Sequence, residues 1–173
     1  IRVVDNGCGM DDIDARVCFS KHATSKITTV DELETINTFG FRGEALASLA
    51  AVARITLITK QMDVETGSRV TVVCNEITQA EPTSANTGTD ISIHDLFYTM
   101  PARRKFLKKN ETEWRHIVQL FQAFCLSFPA VHFKISHDQS LVHNCPPVSN
   151  RADRFAQLWQ HHAVMPIADE LAD

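Results

Sequence analysis

The hydrophobic pattern changes period at Arg54, and this change restricts the folds open to the chain more than any other feature. Residues 43–53 form a small, alanine-rich segment suited to a helix that packs closely on a sheet. Beyond it the pattern alternates. Ile55-Thr56-Leu57-Ile58-Thr59, Arg69-Val70-Thr71-Val72-Val73-Cys74 and Asp90-Ile91-Ser92-Ile93-His94 each read as a strand. Residues 63–67 are the polar connection between the first two. Residues 81–88, with Pro82, Ser84, Asn86 and Gly88, read as a flexible loop.

The flanking segments complete a layered arrangement. Ile1-Arg2-Val3-Val4 is β-prone and runs into the turn-forming Asp5-Asn6-Gly7. Asp11 and Asp12 sit where the first turn of a helix favours negative charge, and that helix carries Ile13, Val17 and Phe19 towards Lys21. Residues 22–29 read as a loop and 31–34 as a short helix. Trp114, Ile117, Val118, Phe121, Phe124, Cys125 and Phe128 recur at three- and four-residue spacing, which predicts a long amphipathic helix. Asn110 with Glu113 resembles a capping box, and Pro129 ends the helix. Residues 131–136 alternate, turn at His137-Asp138-Gln139 and return through Leu141-Val142. A further helix is expected over 151–161. This order implies an α+β fold, a mostly antiparallel sheet with helices on one face.

Composition narrows the function classes. The 173 residues allow one domain and the edge of another. No apolar run approaches the roughly 20 residues that span a bilayer, so no membrane helix is expected. A net charge of -4 argues against a uniformly basic surface, while a local basic patch remains open. The five cysteines are scattered and never in C-x-x-C spacing. They read as reduced thiols of a cytoplasmic or nuclear protein, not as disulfides or a zinc site. The one histidine cluster, His161-His162, is not expected to bind metal. Both ends read as cut, and the chain is expected to be a fragment.

Five stretches carry candidate chemistry. Asp5 offers an acceptor-only carboxylate that would pair with the exocyclic amine of adenine, while Gly7 and Gly9 admit close backbone approach. The competing reading is a plain Asn-Gly hairpin turn. Gly40-Phe41-Arg42-Gly43 runs into a helix start, where unpaired amides suit phosphate. Glu44 there could instead be a stabilising first-turn acid. Phe19 to Ile27, with Thr24, Ser25 and Lys26, could close over a triphosphate or be a solvated connector. The Thr89 hydroxyl could reach a ligand or its own backbone. Arg103, Arg104 and Lys105, followed by Lys108 and Lys109, suggest phosphate or DNA contact, against an ordinary solvated face. No G-x-x-x-x-G-K-[ST] phosphate loop occurs.

The order and spacing of these strings are more specific than any one of them. Asp5-Asn6-Gly7-Cys8-Gly9, His22-Ala23-Thr24-Ser25-Lys26, Gly40-Phe41-Arg42-Gly43-Glu44-Ala45-Leu46, Gly88-Thr89 and Pro101-Ala102-Arg103-Arg104-Lys105-Phe106-Leu107 resemble the MutL family. These are the DNA mismatch-repair ATPases of the GHKL superfamily, and the last string looks bacterial. The resemblance runs from Ile1 to about Lys109 and continues more loosely beyond.

The resemblance implies a GHKL-type two-layer sandwich over residues 1–148, a partial ATPase domain without its N-terminal helices. Residues 149–173 would begin a second, transducer-like domain. It implies that Asp5, Gly7 and Gly9 shape the adenine pocket with Thr89 in support. Thr24, Ser25 and Lys26 would belong to a lid, and Gly40, Phe41, Arg42, Gly43, Glu44, Ala45 and Leu46 would hold the phosphates. ATP binding and hydrolysis would drive an N-terminal clamp on DNA. The implied cofactors are ATP and Mg2+. The family's catalytic glutamate and magnesium-binding asparagine would precede Ile1, so the segment is expected to hold no catalytic or metal-ligating residue and not to hydrolyse ATP alone. Implied partners are DNA, a MutS-type mismatch recognition protein, a downstream nuclease or helicase, and a second copy in a homodimer. The implied location is the bacterial cytoplasm, with no membrane. Alternatives are another GHKL ATPase, such as a topoisomerase subunit, or a non-catalytic adaptor with a degenerate nucleotide pocket.

Overall fold

The computed structural model describes residues 1–21 and 43–159. The expected loop at 22–29 and helix at 31–34 lie outside the described residues. The chain divides into two compact units, Ile1–Phe106 and Leu107–Asp173.

In the first unit, strands β1 (Arg2–Asp5), β2 (Arg54–Lys60), β3 (Gly67–Val73), β4 (Glu76–Thr83) and β5 (Gly88–His94) form one sheet in the order β1-β5-β2-β3-β4. Every neighbouring pair is antiparallel. Strand alternation gives the sheet an apolar and a polar face. Residues opposite one another across the strands share a face, so Val3, Ile91, Leu57, Val70 and Ala80 make one apolar row. Ile93, Ile55, Val72 and Ile77 make the next. On the other face lie the ion pairs Arg2–Asp90 and Arg69–Glu81.

Helices α1 (Asp12–Val17) and α2 (Ala45–Ala50) supply the core with Ala15, Ala50 and, just beyond α1, Phe19. These are buried with Ile55, Leu57, Val70 and Val72. The alanine-rich α2 packs on the sheet through Ala47 and Ala50, as the sequence predicts. Burial falls away towards β1. Leu57 is fully buried, whereas Val3 in the same row is 59% exposed.

Several expectations need correction. Residues 81–83 are not loop but the end of β4, which the pattern missed altogether. β4 pairs only with β3, and an edge strand can be polar because one face and one side need no partner. Pro82 is tolerated there for the same reason. In α1, Ile13 and Val17 are exposed, and the small Ala15 faces the core instead. Asp12 lies in the first turn as expected, whereas Asp11 is the N-cap, its carboxylate accepting from Asp14 N–H.

The second unit is built from α4 (Asn110–Ser127), the hairpin β6 (Phe133–His137) and β7 (Ser140–Cys145), and α5 (Arg151–Leu158). The short α3 (Pro101–Arg104) belongs to the first unit. The hairpin turns through Asp138 and Gln139, both at positive φ, the backbone that a two-residue turn demands. Cys125, Cys145 and Leu158 form the buried centre, with Phe121, Leu126, Phe133 and Trp159 around them. The expected capping box is different in detail. Lys109 is the N-cap, and the Glu113 carboxylate accepts from Lys108 N–H at 3.0 Å. Within α5, Asn150 caps Asp153 N–H at 2.9 Å.

Candidate functional site

The apolar rows of the core face end in a polar one. Asp5, Thr89, Thr59, Ser68 and Pro82 stand opposite each other across β1, β5, β2, β3 and β4. Three hydroxyls and a carboxylate thus occupy the face that elsewhere carries Ile, Leu and Val. Thr59 and Ser68 are buried, Thr89 is half-buried and Asp5 is exposed. Burying a hydroxyl is costly unless it finds a partner, and both buried hydroxyls do.

Asp5 Oδ1 accepts from Gly7 N–H at 2.9 Å and from Thr89 N–H at 3.2 Å. These bonds fix the carboxylate, and Oδ2 has no hydrogen-bond partner among the described residues. Thr59 is fully buried and accepts from Met10 N–H at 2.9 Å. It also lies 3.0 Å from Gly88 O and 3.2 Å from Thr89 Oγ1. Ser68 donates to Asp12 Oδ1 at 3.0 Å. The hydrogen bonds from Arg16, and next the one from Ser68, hold the Asp12 carboxyl below its usual range.

Glycine is required where the backbones meet. A Cβ on Gly88 (φ 113°) would lie 2.1 Å from Asp5 O, and one on Gly9 (φ 68°) 2.1 Å from Lys60 O. A Cβ on Gly7 would sit 3.0 Å from Asp5 Oδ1. The Asp5 to Gly9 turn is therefore more than a generic Asn-Gly hairpin. It is pressed against β5 and β2, with its acid locked in place.

The structure brings Asp5, Gly7 and Thr89 into direct contact. Gly43, at φ 63°, and Glu44, the N-cap, lead into Ala45 and Leu46 at the start of α2. The amides of this first turn lack intrahelical partners by geometry, and the Glu44 side chain makes no cap. Leu46 and Met10 pack against the same core cluster, so α2 and the Asp5 turn share one foundation. Thr24, Ser25, Lys26, Gly40, Phe41 and Arg42 lie outside the described residues. Arg103, Arg104 and Lys105 are exposed, without an ion-pair partner among the described residues.

Thr59 and Ser68 are the site residues that the sequence reading missed. Strand alternation held the signal for Thr59, because the inward series Ile55, Leu57 continues to a hydroxyl. Among the described residues no three His, Cys, Asp or Glu side chains converge as a metal site.

A search of protein-family models gives no match. Individual proteins do match. The DNA mismatch repair protein MutL of Porphyromonas gingivalis is 47% identical over 147 residues, 85% of this chain and 24% of that protein. That of Acidobacterium capsulatum is 43% identical over 159 residues, 92% of this chain and 24% of that protein. The chain thus spans about a quarter of the length of the curated relatives it matches. Among solved structures, the Aquifex aeolicus MutL ATPase domain complexed with ADP superposes with a TM-score of 0.71 at 26% identity. The match covers 92% of this chain and 56% of that one. The N-terminal domain of a DNA repair protein, at 24% identity and a TM-score of 0.73, shares the fold.

The antiparallel sheet, its one-sided helices and these neighbours define a GHKL-type ATPase-domain fold. Over the matched residues the chain belongs to the MutL family of DNA mismatch-repair proteins.

Proposed function

We propose that this chain forms the adenine-gripping part of a MutL-type ATPase, in which nucleotide binding and hydrolysis drive a clamp on DNA. The observation that carries the reading is the Asp5 carboxylate. One oxygen is consumed by two backbone N–H groups, and the other is left to accept from a ligand. An amine satisfies such an acceptor, and a carbonyl does not. The close-packed glycines support the fit, because any Cβ at Gly88 or Gly9 would dislodge the backbone beside the acid.

In this reading Gly7, Gly9 and Thr89 shape the base pocket. Gly40 to Leu46 hold the phosphates at the α2 start, and Thr24, Ser25 and Lys26 form the lid. Mg2+ would accompany the triphosphate, and no described residue is assigned to it or to the hydrolytic step. Residues 1–148 would be the ATPase portion and 149–173 would belong to a transducer-like domain. Arg103, Arg104 and Lys105 are the proposed DNA or phosphate contacts, since their charges are exposed. The further partners are a mismatch recognition protein, a nuclease or helicase, and a second copy of the protein, all in the cytoplasm. The family relationship supports these roles.

Asp5→Asn is the decisive variant. Its amide oxygen can keep the bonds to Gly7 and Thr89 while its NH2 replaces the free acceptor. Losing a charged hydrogen bond costs roughly 1.5–3 kcal/mol, so ADP affinity should fall about ten- to a hundredfold with an unchanged melting temperature. Wild-type affinity in this variant would sink the adenine assignment.

A further inference from the structure

Thr59 has no surface open to solvent, yet its hydroxyl decides what the neighbouring Thr89 can offer a ligand. It is fully buried, and its oxygen faces Met10 N, Gly88 O and Thr89 Oγ1 at 2.9, 3.0 and 3.2 Å. A hydroxyl has one proton and two lone pairs. Met10 N–H can only donate, and the Gly88 carbonyl can only accept. Thr59 must therefore give its proton to Gly88 and accept from Met10. One lone pair remains for Thr89, so Thr89 has to be the donor between the two hydroxyls. This is the one assignment that satisfies all three contacts together. It spends the only proton Thr89 has, leaving the hydroxyl oxygen of this half-buried residue with lone pairs alone.

We infer that Thr59 is a positioning residue that sets hydrogen-bond polarity, fixing Thr89 as an acceptor towards the base so that Asp5 and Thr89 together select amino-purines over oxo-purines. The inference rests on the adenine reading of Asp5 and adds a second determinant to it. Adenine carries an amine donor where guanine and hypoxanthine carry a carbonyl. Such a carbonyl would face two acceptors, one on Asp5 and one on Thr89. Thr59 itself needs no direct contact with the nucleotide; it acts through Thr89.

The test is the ratio of ADP to IDP affinity in the full-length protein, by equilibrium titration. General destabilisation weakens both nucleotides alike and leaves this ratio unchanged. Thr59→Val frees the Thr89 proton to turn towards the base, so the preference for ADP should fall on the order of tenfold. Thr59→Ser keeps the relay and should keep the preference. If Thr59→Val does not fold, Thr89→Val decides. It spares the Thr59 bonds to Met10 and Gly88 but removes the acceptor, and the preference should again fall. An unchanged ratio in a folded Thr59→Val, a lost preference in Thr59→Ser, or a ratio in Thr89→Val that holds or rises would each overturn the relay. A wild-type protein that binds neither nucleotide, or both equally, would overturn the adenine reading itself.

Discussion

Replacing Arg154 by methionine should loosen the second unit by about 2–4 kcal/mol, although methionine fills much of the same space. Arg154 is fully buried in α5 and has no ion-pair partner among the described residues. Its guanidinium instead donates to three backbone carbonyls, Pro129 O at 2.6 Å, Val131 O at 2.7 Å and Cys145 O at 2.7 Å. A fourth bond goes to Gln157 Oε1 at 2.9 Å, and the Phe133 ring lies 5.9 Å from the guanidinium carbon. The side chain therefore ties α5 to the α4–β6 connection and to the end of β7.

Removing the charge relieves its desolvation, which favours the variant. The carbonyls cannot be mutated away, however, and each buried acceptor left unpaired costs roughly 1–3 kcal/mol. Cys145 O is buried and should bear the full penalty. The bonds to Pro129 and Val131 are only partly buried, so water recovers part of theirs. Arg154→Lys keeps the charge but loses the planar fork, and should fall between the wild type and methionine. Both tryptophans, Trp114 and Trp159, belong to this unit, so urea unfolding followed by tryptophan fluorescence reads it directly. A loss below about 1 kcal/mol would refute the argument, since the carbonyls would then not depend on Arg154.

Gly88→Ala should weaken ADP binding without touching the nucleotide. Its Cβ would drive β5 away from Asp5 O, and its φ of 113° adds strain of about 1–3 kcal/mol. An unchanged melting temperature with unchanged ADP affinity would contradict this close-packing account. The thiols should separate into two classes on native alkylation near pH 8, followed by mass spectrometry. Exposed Cys8 and Cys74 should react first. Burial pushes the Cys18 thiol up to about 11 and Cys125 up to about 12, and Cys145 is fully buried, so these three should label only on unfolding. Rapid native labelling of Cys125 would show that the second core opens.

The apolar alternation of β2, β3 and β5 predicted the sheet because those strands are half or fully buried and must carry a face. β4 escaped because an edge strand has no such need: Glu76 to Thr83 is mostly polar, and its last residues carry Pro82 and read as loop. The turn at Asp5 to Gly9 was legible as a candidate because glycines and an isolated acid are unusual together. Its competing reading as a simple hairpin was excluded only by contacts made more than fifty residues away in sequence, at Thr89 and Lys60.

By itself, then, the sequence determined the α+β class, the long amphipathic helix and the family, and it singled out Asp5 as a candidate. These follow from periodicity and from strings whose order is specific. Only the tertiary structure decided that Asp5 stands in one cross-strand row with Thr89, Thr59 and Ser68. Which residues share a row depends on strand register, and register is fixed by pairing between distant segments, not by either strand alone.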